Sequence, residues 1–209
     1  MRRCVIVGGA PIENYERIRS YCSDDDFYIF CDSGLKHCDD LGARPQLIIG
    51  DFDSYENPKN GIETIELPTV KDDTDTVSAL KEAVMRGYKD FLLVGMTGRR
   101  LDHTLGNVYM LVKLEELGKT ALMVDDYSEI SIIGSGKIKE IDDSFPFFSL
   151  LNITGTAKGI NVKNAKYPLR DAEIESGYQY GVSNEVLPGK KAEITVSEGM
   201  LLLIRDIVG

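Results

Sequence analysis

Leu47-Ile48-Ile49-Gly50-Asp51-Phe52-Asp53-Ser54 is the stretch around which the chain is organised. A short apolar run, partly β-branched, ends abruptly in Gly-Asp-x-Asp-Ser. A continuous run of this kind fits a strand covered on both faces. The strand must stop at Gly50, and two carboxylates emerge at its carboxyl end. A turn at Phe52 would aim Asp51 and Asp53 at one point. Like charges so placed repel each other unless a cation lies between them. A hard cation with oxygen ligands, Mg²⁺ in particular, meets that need. The octet by itself also fits an ordinary turn, since Asp and Ser are common turn residues.

Upstream of it, Cys4–Val7 predicts a first strand followed by Gly8-Gly9-Ala10, small residues that let a backbone or a phosphate come close. No full G-x-G-x-x-G follows. Residues 14–22 predict a short helix. Phe27–Cys31 predicts a strand ending in Asp32-Ser33-Gly34, and residues 35–41 a helix stopped by Gly42. Residues 57–61 read as a loop. Downstream, Asp72-Asp73-Thr74-Asp75 opens a helix that runs to about residue 86. Thr74 or Asp73 can cap it, and the acids lie at the positive end of its dipole. Val77, Leu80 and Val84 fall at helical spacing and predict its buried stripe. This many aspartates exceeds what a cap requires, which marks a second candidate site. Residues 91–94 predict a strand that ends in Gly95-Met96-Thr97-Gly98-Arg99-Arg100-Leu101-Asp102-His103. A helix over 104–117 follows, with Leu105, Val108, Val112 and Leu117 on or near one face. Thr120–Val124 is a further strand. His103 reads as a helix-start residue that positions its loop, and His37 as a helix-surface residue.

Strand alternating with helix implies a parallel sheet with helices on its faces. Ligands of such sheets bind beyond the carboxyl ends of the strands. Asp32, Asp51, Asp53 and Asp102 follow predicted strands, and Asp75 opens a helix at the same edge, so acids far apart in sequence converge on one rim. After residue 130 the texture changes. Residues 130–133, 137–141, 147–153, 159–162, 192–196 and 201–204 are short β-like runs punctuated by glycines, without helical period. The expected architecture is an N-terminal Rossmann-like parallel α/β/α domain over residues 1–127, followed by a C-terminal antiparallel β-sandwich over residues 128–209.

With 209 residues, 43% of them apolar, the chain can bury a normal core. Its formal charge of −10 argues against a nucleic-acid partner, which needs a basic face. A phosphorylated metabolite stays compatible if a divalent cation bridges it to the acids. The apolar run after Arg2-Arg3 is too short for a signal peptide, and no run reaches membrane-spanning length. Cys4, Cys22, Cys31 and Cys38 include no C-x-x-C pair and read as reduced thiols of a cytoplasmic protein.

Gly50-Asp51-Phe52-Asp53-Ser54, Asp72-Asp73-Thr74-Asp75, Thr97-Gly98-Arg99-Arg100-Leu101-Asp102-His103-Thr104 with Asn107, and Gly181-Val182-Ser183-Asn184-Glu185 occur in this order. Together they resemble thiamine pyrophosphokinase over essentially the whole chain. The resemblance implies transfer of the β,γ-pyrophosphoryl unit of ATP to the hydroxyl of thiamine, giving thiamine diphosphate and AMP. It implies a homodimer with the active site at the interface. It assigns Mg²⁺ to Asp51, Asp53 and Asp75, and catalysis to Asp75, Asp102 and Arg100. ATP falls to Asp32, Ser54, Lys71, Thr97, Gly98, Arg100 and His103. Thiamine falls to Asp32, Asp75, Tyr167, Ser183 and Asn184. The sequence departs from the family pattern at Lys71, where Gln is expected, and at Arg99, where a second Gly is expected. It also has no Trp, and Tyr167 is the candidate to stack on thiamine in its place.

Pyrophosphoryl transfer is mostly positioning and charge neutralisation. Mg²⁺ on an acidic rim would reverse its sign toward the triphosphate. Arg100 would grip the developing charge. Either Asp75 or Asp102 could accept the hydroxyl proton. Two other readings compete. One is a catalytically silent nucleotide or thiamine sensor. The other is a Mg²⁺-dependent nucleotide-sugar transferase, which does not account for the Thr74-Asp75 and Arg100-Asp102 motifs.

Overall fold

The computed structural model describes residues 2–53, 61–70 and 72–207. The chain divides into two compact units, Met1–Asp126 and Tyr127–Gly209. The first runs β1 (Cys4–Val7), α1 (Tyr15–Tyr21), β2 (Phe27–Cys31), a 3-10 helix (Asp32–His37) that passes into α2 (Cys38–Leu41), β3 (Leu47–Gly50), β4 (Glu63–Glu66), α3 (Asp75–Met85), β5 (Asp90–Val94), α4 (Leu101–Glu116) and β6 (Thr120–Val124). Its strands lie in the order β6-β5-β1-β2-β3-β4, and every neighbouring pair is parallel. The near-continuous apolar runs have the expected consequence. All of Cys4–Val7 is fully buried, and Val5, Val7, Phe30, Ile48 and Val94 share one core cluster. Each large side chain so buried contributes roughly 1.5–3 kcal/mol.

The helix packed on β1, β2 and β3 is α3. Its buried residues are Ala79, Leu80 and Ala83, whereas Val77 and Val84 are only half-buried. The expected stripe is therefore rotated. Alanines allow the helix to lie close to the sheet, and the larger side chains turn toward α4. On α4 the buried set is Asn107, Met110, Leu111, Val112 and Leu114. Leu105 and Leu117, expected inside, are 51% and 45% exposed. The displaced Val77, Val84 and Leu117, together with Met85 and Tyr109, help line an apolar groove of about 520 Å³ between the two helices.

The chain leaves β1 outward through β2, β3 and β4, then returns to place β5 on the other side of β1. The strand order reverses there, and open α/β sheets bind ligands at such a switch point. Gly8 and Gly95 meet at this seam. The Gly8 N–H donates to Val94 O (2.9 Å) and the Ala10 N–H to Gly95 O (3.0 Å). A Cβ on Gly8 would lie 2.5 Å from Gly95 O, and one on Gly95 would lie 2.5 Å from Gly8 O. Here the small residues serve the approach of backbone to backbone.

The second unit contains β7 (Ser128–Gly134), β8 (Ile138–Asp142), β9 (Phe147–Leu151), β10 (Thr156–Lys163), β11 (Leu169–Glu175), β12 (Gly181–Asn184), β13 (Lys191–Thr195) and β14 (Met200–Asp206). Within it β12-β9-β14-β7 pair antiparallel, as do β11-β10-β13-β8. Phe148, Leu150 and Leu203 of the first set share one core with Ile160, Val162 and Ile194 of the second. No described helix is long and apolar enough to cross a membrane. The four cysteines are free thiols.

Candidate active site

Strand register builds the acidic end of the site. The β2–β3 pairing sets Cys31 opposite Ile49, which brings Asp32 beside Gly50. A Cβ on Gly50 would lie only 2.9 Å from the Asp32 Cβ, so glycine is required for Asp32 to sit there. Asp51 follows Gly50 directly. The third acid arrives with α3, whose N-cap Thr74 accepts from the Val77 N–H. The Cys31 thiol lies 3.8 Å from the Asp75 carbonyl and ties the helix start to the end of β2. Carboxylate oxygens of Asp32, Asp51 and Asp75 consequently all lie within 4.8 Å of one another.

Asp53 is exposed and outside this trio. Its N–H donates to Asp51 Oδ1 (3.3 Å). Asp32 thus joins Asp51 and Asp75 in the trio, and Asp53 lies beside them in the turn. Asp32 is 5% exposed, has φ of 30°, and its Oδ1 has no hydrogen-bond partner among the described residues. Burial first, and then the neighbouring Asp75, Asp53 and Asp51 carboxylates, hold its pKa above the usual carboxylate range, while the Ser33 N–H opposes the rise. A buried carboxyl with strained backbone and one oxygen left without a partner among the described residues, crowded by like charges, does nothing for packing and marks a functional position.

A cavity of about 380 Å³ opens at the β1/β5 switch point. One wall is the Gly9-Ala10 loop, and Gly98, Arg99, Arg100 and His103 form another. Ser33 and Lys36 line it together, because residues three apart eclipse on a 3-10 helix. The start of α4 contributes His103 and Thr104, and a helix N-terminus favours anions. Asn107 is buried. Its amide donates to Met96 O (2.8 Å) and accepts from the Thr76 hydroxyl (3.0 Å), joining both helices to the loop after β5. Cations on the wall and carboxylates alongside suit a polyphosphate carrying a divalent metal.

Of the predicted ATP contacts, Gly98, Arg100 and His103 reach this cavity. Thr97 does not line it, and its hydroxyl donates to Asp125 Oδ2 (2.8 Å). Ser54 and Lys71 lie outside the described residues. Arg100 and Asp102 bind each other through Nη2 and Oδ2 at 2.6 Å, both well exposed. The guanidinium holds the Asp102 carboxyl down to about 2. The cavity-lining residues that sequence reasoning missed include Ser33, Lys36, Thr76 and Arg99. Placing the helix start at Leu35 concealed Lys36. A 3-10 helix beginning at Asp32 would have put Ser33 and Lys36 on one face. His37, expected on a helix surface, is 1% exposed. Its ring is held by the Tyr15 hydroxyl and Ala10 O.

The predicted thiamine residues of the second unit form a small cluster of their own. Asn184 is buried. Its Oδ1 accepts from the Tyr167 N–H (3.0 Å) and the Glu185 N–H (2.9 Å), and its Nδ2 donates to Tyr167 O (2.8 Å). The Asn184 amide therefore grips the Tyr167 backbone. The Tyr167 side chain is 58% exposed, with the Lys166 ammonium 5.7 Å from its ring centre. Ser183, in the irregular β12–β9 pairing, has φ of 56°.

The family model for "Thiamin pyrophosphokinase, catalytic domain" matches residues 18–123, and that for "Thiamin pyrophosphokinase, vitamin B1 binding domain" matches residues 137–201. The chain is 27% identical over 213 residues to the thiamine pyrophosphokinase of Bacillus subtilis (strain 168), covering 99% of each. It superimposes on the crystal structure of the thiamine pyrophosphokinase from Bacillus subtilis with a TM-score of 0.87 at 25% identity, covering 98% of this chain and 99% of that one. For the thiamin pyrophosphokinase of Geobacillus thermodenitrificans the TM-score is 0.84 at 28% identity, covering 98% and 97%.

Proposed function

The chain belongs to the thiamin pyrophosphokinase family, and on that premise we propose that residues 1–127 hold ATP with a divalent cation while residues 128–209 present thiamine. The reaction is ATP-dependent transfer of a pyrophosphoryl group to thiamine, giving thiamine diphosphate and AMP. The sensor and nucleotide-sugar transferase readings are not favoured by membership of this family. The observation that carries the assignment of roles is the trio Asp32, Asp51 and Asp75 within 4.8 Å. It stands next in sequence to Ser33 and Thr76, which line a cavity walled by Lys36, Arg99 and Arg100.

The residues fit a hard divalent cation. Their donors are all carboxylate oxygens, and Asp32 Oδ1 is buried without a partner among the described residues. Asp32, Asp51 and Asp75 would hold Mg²⁺, with Asp53 beside them in the turn. When bound, Mg²⁺ supplies charge neutralisation and orients phosphate oxygens. Lys36 and Arg100 add donors along the cavity wall, and the amino end of α4 adds its dipole. Asp102 is committed to orienting Arg100, and a carboxyl held at about 2 is a weak base. The hydroxyl proton then falls to Asp75 or to solvent, and a loose transition state asks little of either. On the thiamine side, Tyr167 offers an exposed ring for stacking on the cationic vitamin. Asn184 acts through Tyr167, and Ser183 stands nearby on the edge strand.

In this reading the first unit is a Rossmann-like α/β/α domain and the second a β-sandwich. We further read the protein as a cytoplasmic homodimer with its site at the interface, with no nucleic acid or membrane as partner. The exposed Met85, Tyr109 and Leu117 that line the α3/α4 groove support the dimer. The reaction is tested by incubating purified protein with Mg²⁺, ATP and thiamine and resolving AMP from ADP. AMP formed only with thiamine, together with thiamine diphosphate, is the expected result. ADP with thiamine monophosphate would move the attack to the γ-phosphorus and overturn pyrophosphoryl transfer.

A further inference from the structure

Neither His37 nor Tyr15 lines the cavity, yet both connect to its wall. The His37 Nε2 lies 2.8 Å from Ala10 O, and its Nδ1 lies 2.7 Å from the Tyr15 hydroxyl. A carbonyl oxygen can only accept, so Nε2 carries the proton and Nδ1 accepts from the Tyr15 O–H. Burial, the largest cause, lowers the pKa of this imidazole, which favours the same neutral form. The preceding residue, Lys36, donates from Nζ to Gly9 O at 2.5 Å. Consecutive residues of one 3-10 helix thus hold consecutive carbonyls of the loop that leaves β1. Tyr15 is itself anchored, because the Asp126 carboxylate accepts from the Glu13 and Asn14 N–H groups just before α1. The imidazole is therefore fixed from both sides.

Carbonyl oxygens carry partial negative charge, and a loop free to turn them inward would oppose a polyphosphate. We propose that His37 and Tyr15 are positioning residues that hold the Ala10 carbonyl and so fix the Gly9-Ala10 wall against which the phosphates of ATP lie. This rests on reading that cavity as the ATP site.

The test compares His37→Leu, His37→Gln and Tyr15→Phe in the full chain. The KM for ATP and for thiamine are measured separately, and ATP binding is measured by calorimetry in Mg²⁺ without thiamine. His37→Leu removes both hydrogen bonds of the ring and should weaken ATP about tenfold in KM and Kd, with the thiamine KM changed less than about twofold. Glutamine can offer Nε2 to Ala10 O, so His37→Gln should stay within about threefold of the native protein. Tyr15→Phe removes one hydroxyl and should weaken ATP about threefold. A purely structural role would lower the melting temperature without the asymmetry between ATP and thiamine, and that result overturns the proposal. If His37→Leu does not fold, unchanged ATP affinity in Tyr15→Phe overturns it equally. Should the native protein form no thiamine-dependent AMP, the reading of the reaction fails, while the calorimetric ATP affinities of the variants still decide this one.

Discussion

Holding Asp32, Asp51 and Asp75 together without a cation costs stability, and Asp32→Asn measures how much. At 4.8 Å and an effective dielectric of about 20, two full charges repel by about 3.5 kcal/mol. Asp32 takes part in two of the three pairs. Its carboxyl escapes part of that repulsion through its raised pKa. A raised folded-state pKa gives stability that is complete below the ordinary carboxylate value and lost as pH rises through the folded value. Above the raised value the native protein has therefore lost that contribution. The variant should be more stable in EDTA by about 2 kcal/mol, which corresponds to roughly 4–8 °C in Tm for a chain of this size. Its advantage should shrink as the pH is lowered into the window between the raised pKa and the ordinary carboxylate value. A cation binding the native trio at a hundredfold excess over Kd should return about 2.7 kcal/mol, and Mg²⁺ should help the variant less. The assay is a thermal melt of both proteins with EDTA and with Mg²⁺, from pH 5 to pH 7. A variant no more stable than the native protein in EDTA at pH 7, with no Mg²⁺ increment in the native protein, would refute the reasoning.

The trio and the exposed Asp53 make different forecasts for two neighbouring substitutions. Asp51→Asn should lower kcat by about 10²–10⁴, or roughly 3–5 kcal/mol in barrier, and Asp53→Asn by clearly less; steady-state kinetics showing equal losses would restore Asp53 to the metal site. Asn184→Ala should raise the KM for thiamine much as Tyr167→Ala does, because both undo one unit. The double variant should be no worse than the single ones, and additive losses would separate the two residues. Tyr109→Asp, in the α3/α4 groove, should reduce the mass seen in equilibrium sedimentation from two chains to one. A native protein that already sediments as one chain at assay concentration would remove the dimer.

Much of the fold could be read in the sequence because its strongest signals are local. Cys4–Val7, Phe27–Cys31 and Thr120–Val124 are apolar runs with no competing period, and the structure places strands over those same residues. Strands β4, β11 and β12 were missed for a physical reason. Glu63–Glu66 and Leu169–Glu175 each carry mostly exposed or half-buried residues, and Gly181–Asn184 pairs irregularly, so none shows a buried run or a clean alternation. The helical stripes were displaced because Ala79 and Ala83, weak hydrophobic signals, decide how close α3 lies to the sheet. In the candidate site, the motifs drew attention to Asp51 and Asp75. They could not show that Asp32 would come within reach of both, because that depends on the β2–β3 register and on the absent side chain at Gly50. Lys36 and His37 depended on where a 3-10 helix begins, and the sequence does not mark that residue.

The seam between β1 and β5 also bears on how the protein folds. The chain between Gly8 and Gly95 must close a long loop before these strands can pair, at an entropic cost of about 4 kcal/mol. Strands β2, β3 and β4 can zip outward from β1 with shorter closures, so the β1/β5 wall is expected to form late in assembly. Its amides report on that step. Gly8 and Ala10 donate across the seam to Val94 and Gly95. Their hydrogen exchange should slow when ATP occupies the wall, because the nucleotide then binds only the closed form. Ligand occupancy and closure of the most distant contact in this sheet are in that sense one equilibrium, observable at two backbone amides.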